Sequence, residues 1–566
     1  MTAKFTLILL GCCLLIASLG WAQGPTAAIT GQVTDQSGAA VPNAAITAKD
    51  LDRGTTWPTK TNDAGYYNLP RLPIGNYEVR VEANGFTAKV QRSVPLVLDQ
   101  TAKIDFQLQV GQVSQTLKVT SSAPLLQTET TQLSTVMESN AIASLPLETR
   151  NYNQLPLLLP GAVTTSPAAF NTGQATFNAG RPYINGNREQ ATYYLLDGME
   201  NIEFVDNNVA YSPSVDAIQE FSLVTNNPSA EYGQFLGGVI SVSLKSGSNS
   251  FHGSAFEFTR NDFFNANEWS RNFSKDPAVN SAPANLRWNE FGGTFGGPIK
   301  RNKLFFFVDY QGSRFDTPAT PGTINTFSDL NRTGNLSDIP QVALHYPGTT
   351  VPMPADLTKA AICGAGQTFG SSPCIKGLSP TALKVIGVLP KATLPGLLNN
   401  APNIQQSFIH GNQGDAKVDY NLSDKDHLSA RYSQQYVTNP FVNSQPLLYN
   451  TNGDNIFPLW SGVINYTRTL TPTLVNEFRA GVNYFPAEAN VQGLGAGNTA
   501  GLIPGQPTPF LPGLFFSGAP VGGGQNGPFA FGTVNAPEIF HQTAIQYEDT
   551  AIYTHRAHTM KMGLQF

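Results

Sequence analysis

From Phe251 to the last residue, apolar and polar side chains alternate in short runs. Ala416, Val418, Tyr420 and Leu422 alternate with Asp415, Lys417, Asp419 and Asn421; Leu428, Ala430 and Tyr432 with Ser429, Arg431 and Ser433. Phe478, Ala480, Val482 and Tyr484 alternate with Glu477, Arg479, Gly481 and Asn483, and Met560, Met562, Leu564 and Phe566 with Thr559, Lys561, Gly563 and Gln565. A period of two is the signature of a strand with unlike faces. It suits a membrane strand between lipid and a polar lumen, and equally a half-buried soluble sheet. The connections separate the two. Short turns at Gly297–Asn302, Ser423–Asp426 and Leu470–Thr473 alternate with long Gly-, Pro- and Asn-rich loops around 262–286, 314–407, 437–457 and 486–538. Short turns on one side and long loops on the other are the rhythm of a transmembrane barrel. Strands are expected at 251–261, 287–296, 303–313, 410–422, 427–436, 459–469, 474–485, 540–552 and 558–566.

Upstream, seven extended runs follow one another between Ala27 and Val110: Ile29–Val33, Ala44–Ala48, Thr55–Thr61, Tyr66–Leu69, Tyr77–Ala83, Phe86–Val94 and Ile104–Leu108. Turn residues at Gln36–Gly38, Arg53-Gly54, Asp63–Gly65, Pro73–Gly75 and Asn84-Gly85 separate them. Alternation in Tyr77/Val79/Val81 and Ile104/Phe106/Leu108 predicts a β-sandwich with one buried face per sheet. The pattern GQVTDQSGAAVPNAAI, then TNDAGYYNLPRLPIGNYEVRVEANGF, resembles the carboxypeptidase regulatory-like domain, a seven-stranded sandwich with a carbohydrate-binding-like fold. The resemblance implies no peptidase activity, since that domain accompanies the enzyme and performs no hydrolysis.

Between the sandwich and the alternating region lies a second unit, 111–250. It contains Ala141–Leu145, Arg150-Asn151-Tyr152 and Leu155–Gly161, then GRPYINGNREQATYYLLDG, DAIQEF and AEYGQFLGGVISVSLKSGSNSFHGSAFEF over residues 180–258. Asn185-Gly186 and Asp197-Gly198 are turn dipeptides bracketing the extended run Tyr193–Leu196, and Gly237-Gly238 and Gly247 bracket Val239–Leu244. In order and spacing this set resembles the plug-to-barrel junction of TonB-dependent outer-membrane receptors, specifically the Oar-like branch. The resemblance implies a mainly β protein: an N-terminal sandwich over 27–110, a plug over 111–250 and an antiparallel outer-membrane β-barrel over 251–566. It implies a TonB energy-transducing complex as partner, with outer-membrane lipid around the barrel. Thr116, Leu117, Lys118, Val119 and Thr120 stand where such receptors carry the coupling segment that adds as a strand to TonB; the same five residues read equally as an ordinary linker strand. The family closes its barrel with about 22 strands, an even number, whereas nine are legible here and leave Phe566 on the outer side. The expectation is therefore a truncated receptor with open sheet edges.

Composition agrees with export. Charged residues make up 13% of the 566-residue chain, which holds 52 Gly and 40 Pro, a balance suited to short strands and long loops. A mean hydropathy of −0.16 does not argue against a barrel, whose apolar residues occupy every second position only. Lys4, the apolar stretch Phe5–Leu19 and Gly20-Trp21-Ala22 read as a secretory signal peptide, residues 1–22. The stretch is shorter than the ~18 residues a spanning helix needs. Localisation in the outer membrane of a Gram-negative bacterium follows, with the sandwich in the periplasm. Cys363 and Cys374 are the two cysteines left after the signal and fall in the largest outer loop, so a loop disulfide is expected in an oxidising compartment.

The chemistry of catalysis is missing. The first of seven histidines is His252, so sandwich and plug have neither a ready zinc site nor a Ser-His or Cys-His pair, and no HExxH, GxSxG or GxxxxGK[ST] occurs. No enzyme and no cofactor are expected. His555 and His558 read as opposite faces of one strand. Net charge −5 supplies no footprint for nucleic acid. In the family, charged plug residues face the barrel wall and hold or release the plug; the matching charges are Arg181, Arg188, Asp197, Glu220, Glu231 and Lys245. Asp197, Glu200, Glu203 and Asp206 lack the order of a calcium loop and read as solvated. The function implied is TonB-dependent uptake of a small ligand, with siderophore, glycan and peptide all open. The alternative is an adhesion or carbohydrate-binding protein anchored by the barrel.

Overall fold

The computed structural model describes residues 27–111, 116–120, 129–147, 149–166, 170, 180–204, 207–233, 235–267, 269–273, 281, 283, 286–324, 326–339, 344–388, 391–396, 400–440, 454–489 and 538–566. The signal stretch 1–22 and Asp206 lie outside them.

The N-terminal unit is a two-layer sandwich. Its strands are β1 (Ala27–Thr34), β2 (Ala45–Asp50), β3 (Thr56–Lys60), β4 (Tyr66–Leu72), β5 (Gly75–Glu82), β6 (Ala88–Leu96), β7 (Thr101–Lys103), β8 (Phe106–Gln107) and β9 (Thr116–Thr120). One sheet runs β4-β1-β7 with β8 also on β1; the other runs β3-β2-β5-β6-β9. Every second residue of β1 is buried, and Ile29, Val33, Ile46, Ala48, Tyr77, Val79 and Val81 meet between the layers. The run expected at Ile104–Leu108 is not one strand. Only Phe106–Gln107 of it pairs as β8; the Asp105 carboxylate accepts the Gln32 amide at 2.8 Å, so a side chain takes a ladder position and separates β8 from β7. The segment Thr116–Thr120 forms a ninth strand, paired in parallel with β6 from Ala88↔Thr116 to Arg92↔Thr120.

Between β4 and β1 the register slips: Leu72 faces Ala27 and Leu69 faces Ile29, leaving Pro70 and Arg71 opposite Ala28. This is a β-bulge, and Arg71 sits in it at φ 60°. A bulge re-aims a side chain, and that of Arg71 leaves the sandwich.

The plug strands are β10 (Leu133–Glu138), β11 (Ala162–Val163), β12 (Tyr183–Ile184), β13 (Tyr193–Leu196), β14 (Met199–Glu200), β15 (Ile202–Glu203), β16 (Asn208–Val209), β17 (Ile218–Asn226) and β18 (Val239–Leu244). The main sheet is ordered β10-β17-β18-β13-β14, with β13 parallel to β18. Asp197 and Gly198, at φ 47° and 79°, form the two-residue turn joining β13 to β14, the backbone an Asp-Gly hairpin demands. The plug core of Tyr152, Tyr194, Tyr211, Phe221 and Ile240 continues into Phe307, Val437, Phe457 and Leu459 of the surrounding sheet.

That sheet is a nine-stranded antiparallel meander: β19 (His252–Asn261), β20 (Arg287–Lys300), β21 (Leu304–Ile324), β22 (Ala401–Asn421), β23 (Asp426–Pro440), β24 (Asp454–Thr471), β25 (Leu474–Ala489), β26 (Glu538–His555) and β27 (His558–Gln565). It is a partial barrel, β19 and β27 each pairing with one neighbour. Several strands run further outward than the alternation predicts: β21 and β22 remain paired to Ile324↔Ala401, past a register shift between Thr317 and Thr320. Their outer ends read Thr317-Pro318-Ala319-Thr320-Pro321 and Gln405-Gln406-Ser407. The backbone ladder continues there while the apolar face has ended. His555 and His558 do not share a strand; they face each other across the two-residue turn Arg556-Ala557. In the largest outer loop Cys363 and Cys374 are disulfide-bonded, Cα to Cα 4.9 Å, beside a small cluster of Tyr346, Ala360 and Ile375.

The burial of this sheet is inverted relative to a soluble protein. Lys417, Arg431, Glu477, Arg479 and Glu548 are buried, while Val418, Tyr432, Ile464, Ile545, Tyr547 and Met562 are exposed. Polar-in, apolar-out alternation around an enclosed plug is the pattern of a wall facing lipid. Among the described residues no helix is long and apolar enough to cross a membrane.

Candidate functional site

The buried polar residues of the wall meet the plug. At the Asp197-Gly198 turn the Asp197 carboxylate accepts the Leu244 amide at 3.1 Å and the Lys417 ammonium at 2.9 Å, and pairs with Arg431 Nε at 3.3 Å. The next carbonyl, of Gly198, accepts Arg479 Nη1 at 2.5 Å, and Arg479 is itself held by Glu548 at 2.9 Å. Along β14 and β15 the wall amides track the plug backbone: Asn483 donates to the Glu200 carbonyl, Gln546 accepts the Glu200 amide, and Gln542 accepts the Phe204 amide while donating to the Glu203 carboxylate. Tyr211 donates to Asp415 at 2.7 Å and Ser246 to Asp419 at 2.6 Å. Asp197 thus has its cationic partners across the interface, the condition under which burying a charge is tolerable.

The six expected plug charges separate into four groups. Asp197 and Glu231 reach the wall, Glu231 through Lys561 at 2.7 Å. Burial would raise the Glu231 pKa, but the charges of Lys561 and Arg71 outweigh it and hold the carboxyl below its usual range. Glu220 faces the sandwich: it is buried and accepts the Leu98 amide at 2.6 Å. Burial, with Glu138 and Asp99 close by, pushes its pKa up to about 8 against the lowering effect of that hydrogen bond. Asp99, which accepts from Ser222 at 3.2 Å, is raised to about 6 by burial and by Glu231. Arg181 and Lys245 bond within the plug, to Glu189 at 3.1 Å and to the Asp216 carbonyl at 2.8 Å, and burial lowers the Lys245 pKa. Arg188 is exposed.

The acidic residues expected to be solvated are not all so. Asp197 and Glu203 are buried and bonded to the wall, because the hairpin they flank is driven into it; Asp206 lies outside the described residues. Two contacts carried no charge pattern to find them by. Arg150, at φ 46°, pairs with Asp216 at 2.5 Å and lies 3.9 Å over the Phe258 ring of β19. Gly481 of the wall gives way to the Met199 sulfur, which a Cβ there would meet at 2.0 Å.

The sandwich sits against the periplasmic turns. The Asp52 carbonyl accepts the Asn249 amide at 3.0 Å; Thr55 accepts from Asn421 at 2.7 Å; Thr56 donates to Asp424 at 3.2 Å; and Thr59 donates to the Pro472 carbonyl at 3.0 Å. Asn62 donates to the Arg556 carbonyl at 3.0 Å, Asn68 to Thr554 at 3.0 Å, and Trp57 stacks on His427 with ring centres 5.0 Å apart. From the bulge, Arg71 pairs with Glu477 at 3.1 Å, both side chains buried.

Comparison with known proteins places these parts. Residues 243–566 match the family described as outer membrane beta barrel domain, and residues 28–109 the carboxypeptidase regulatory-like domain. The TonB-dependent transporter Oar of Myxococcus xanthus is 26% identical over 412 residues, 69% of this chain and 37% of that protein. Among solved structures, the outer membrane transporter YddB from Escherichia coli aligns with 74% of this chain and 45% of its own at a TM-score of 0.45 and 10% identity. The ferric enterobactin receptor PfeA of Pseudomonas aeruginosa aligns with 74% of this chain and 46% of its own, at 0.37 and 11%. The chain thus spans 37% of the length of the curated relative it matches and under half of either receptor.

Proposed function

Because this chain belongs to the outer membrane beta barrel domain family, we propose that it takes up a ligand across the outer membrane in a TonB-dependent way, with the plug as the gate. The observation that carries this reading is the plug hairpin Asp197-Gly198 held by Lys417, Arg431 and Arg479 of the wall. Where the stopper is held by paired charges and amides, its partners can be satisfied by water on release, beside the apolar contacts it makes with Phe307, Val437, Phe457 and Leu459. Thr116–Thr120 is the coupling segment. Its backbone already lies as a strand on β6, and a TonB strand adds to the edge that faces away from β6. The 26% identical TonB-dependent transporter Oar supports the same assignment. The ligand is a siderophore, glycan or peptide captured by the outer loops.

The test offers labelled ferric siderophores, oligosaccharides and peptides to cells expressing the chain, with and without TonB. Uptake in the first background only is expected. Val119→Pro, which removes a ladder donor, is expected to lose at least nine-tenths of that uptake and keep surface binding. Binding that is indifferent to both TonB and Val119→Pro, with no uptake, would instead support an adhesion or carbohydrate-binding role.

A further inference from the structure

We propose that the sandwich is a lid on the periplasmic mouth, closing the lumen a second time below the plug and latched to the wall by Arg71. The inference rests on the reading of the lumen as a passage; the closure itself rests on contacts independent of that reading.

Four observations converge. The contacts of the sandwich reach each of the four periplasmic turns. Besides Asp424, Pro472 and Arg556, the β20–β21 turn is met at Gly54, where a Cβ would lie 2.3 Å from Asn302 Oδ1. At φ 72° this glycine is required both by its turn and by the approach of that asparagine. Second, Arg71 is held in a left-handed conformation within a bulge, a costly backbone state that persists where the surroundings impose it. What it gains is a buried carboxylate on another domain, Glu477. Third, Glu477 also pairs with Arg479 at 3.4 Å, and Arg479 holds the plug carbonyl of Gly198. One line of polar contacts therefore runs from lid through wall to plug hairpin. Fourth, a space remains between lid, plug and wall whose lining mixes Arg53, Gln219, Lys417, Asp419 and Thr467 with apolar Ile74 and Leu428, room that water can enter once the lid lifts.

The consequence is an order of events. Removing Arg71 leaves Glu477 to Arg479 alone, so undocking the lid alters the group that grips the plug. The lid also carries β9, the proposed coupling strand, so a pull applied there reaches the lid through β6 as well as the plug through the following chain.

The experiment places a single reporter thiol at Thr467→Cys in the full chain and measures its reaction with a membrane-impermeant maleimide in outer-membrane fragments, where both faces are accessible. Reaction is expected to be slow with the lid intact and at least tenfold faster with Arg71→Glu. A second variant guards against mere unfolding of the sandwich: Thr56→Cys with Asp424→Cys, at the exposed rim, is expected to form a disulfide that ties the lid down and cancels the acceleration until reduced. Equal reaction rates with and without Arg71→Glu would overturn the lid, as would failure of the rim cysteines to join in a protein whose sandwich resists protease. With the lid tied, TonB-dependent uptake is expected to stop while ligand binding persists. Should no variant take up any ligand, the transport reading falls, and the labelling rates still decide whether the mouth is closed.

Discussion

Asp197 holds two cations and a backbone amide with one carboxylate, and all four groups are buried. Replacing it by Asn leaves Lys417 and Arg431 facing a neutral amide in a buried site. Breaking one side of such a pair costs on the order of 3–5 kcal/mol. Asp197→Asn is expected to lower the urea concentration at which the plug unfolds inside the barrel, read by protease cleavage of the plug, while the sheet keeps its circular dichroism; an unchanged midpoint would show the pair to be idle. Glu220 predicts the opposite kind of dependence. Its pKa is raised to about 8 from an ordinary 4.5, so the folded state binds the proton more tightly than the unfolded one. The stability it contributes is full below pH ~4.5 and is lost as pH rises through ~8, a few kcal/mol at most. Asp99 adds a loss of the same sign between 3.8 and about 6. Glu220→Gln should flatten the upper part of this slope, measured as the thermal midpoint at pH 6 and pH 9, and leave the Leu98 contact in place. These residues also mark what single-sequence reading can reach. Asp197 was legible as an Asp-Gly turn, and its charge as a plug charge. Its partners were not, because Lys417 and Arg431 lie more than two hundred residues away and join it only through sheet closure.

At the scale of elements the alternation of polar and apolar residues located all nine wall strands, since the lipid face writes a period of two into each. It stopped short wherever a strand leaves the membrane. Above that level β21 and β22 continue as a backbone ladder, which no hydropathy pattern reports. The β9 pairing escaped for the same reason: a five-residue strand added in parallel to β6 is a matter of backbone groups. The outer loop between β21 and β22 shows another device. Among the described residues the cluster of Tyr346, Ala360 and Ile375, with Met353 against it, is small for a loop of this length, and the Cys363–Cys374 bond closes the segment that carries Ile375. In the chain-entropy model a loop of about a dozen residues contributes up to ~3 kcal/mol. Cys363→Ser with Cys374→Ser is expected to make this loop cleavable by external protease at least several-fold faster, with the wall unaffected; equal cleavage rates would show the bond to be dispensable.

For the whole molecule, the inverted wall is what the carboxyl-terminal alternation implied and the plug is what the resemblance over residues 180–258 implied, whereas the seating of the sandwich was invisible. Its contacts are made by Thr55, Thr56, Thr59, Asn62 and Asn68, neutral residues that any exposed strand carries, and by one arginine whose direction depends on a bulge. That seating has an optical consequence. Trp57 stacks on His427 across the boundary between sandwich and wall, while Trp269, Trp288 and Trp460 belong to the β19–β20 connection, β20 and β24. The indole is buried at that boundary, so the molecule carries its own fluorophore at the seam that must part. With the other four tryptophans of the sequence, Trp21 among them, replaced by Phe, emission from Trp57 should shift to the red whenever the two domains separate, and Arg71→Glu should produce that change without any ligand or label; an unaltered spectrum would mean that the seam had stayed shut.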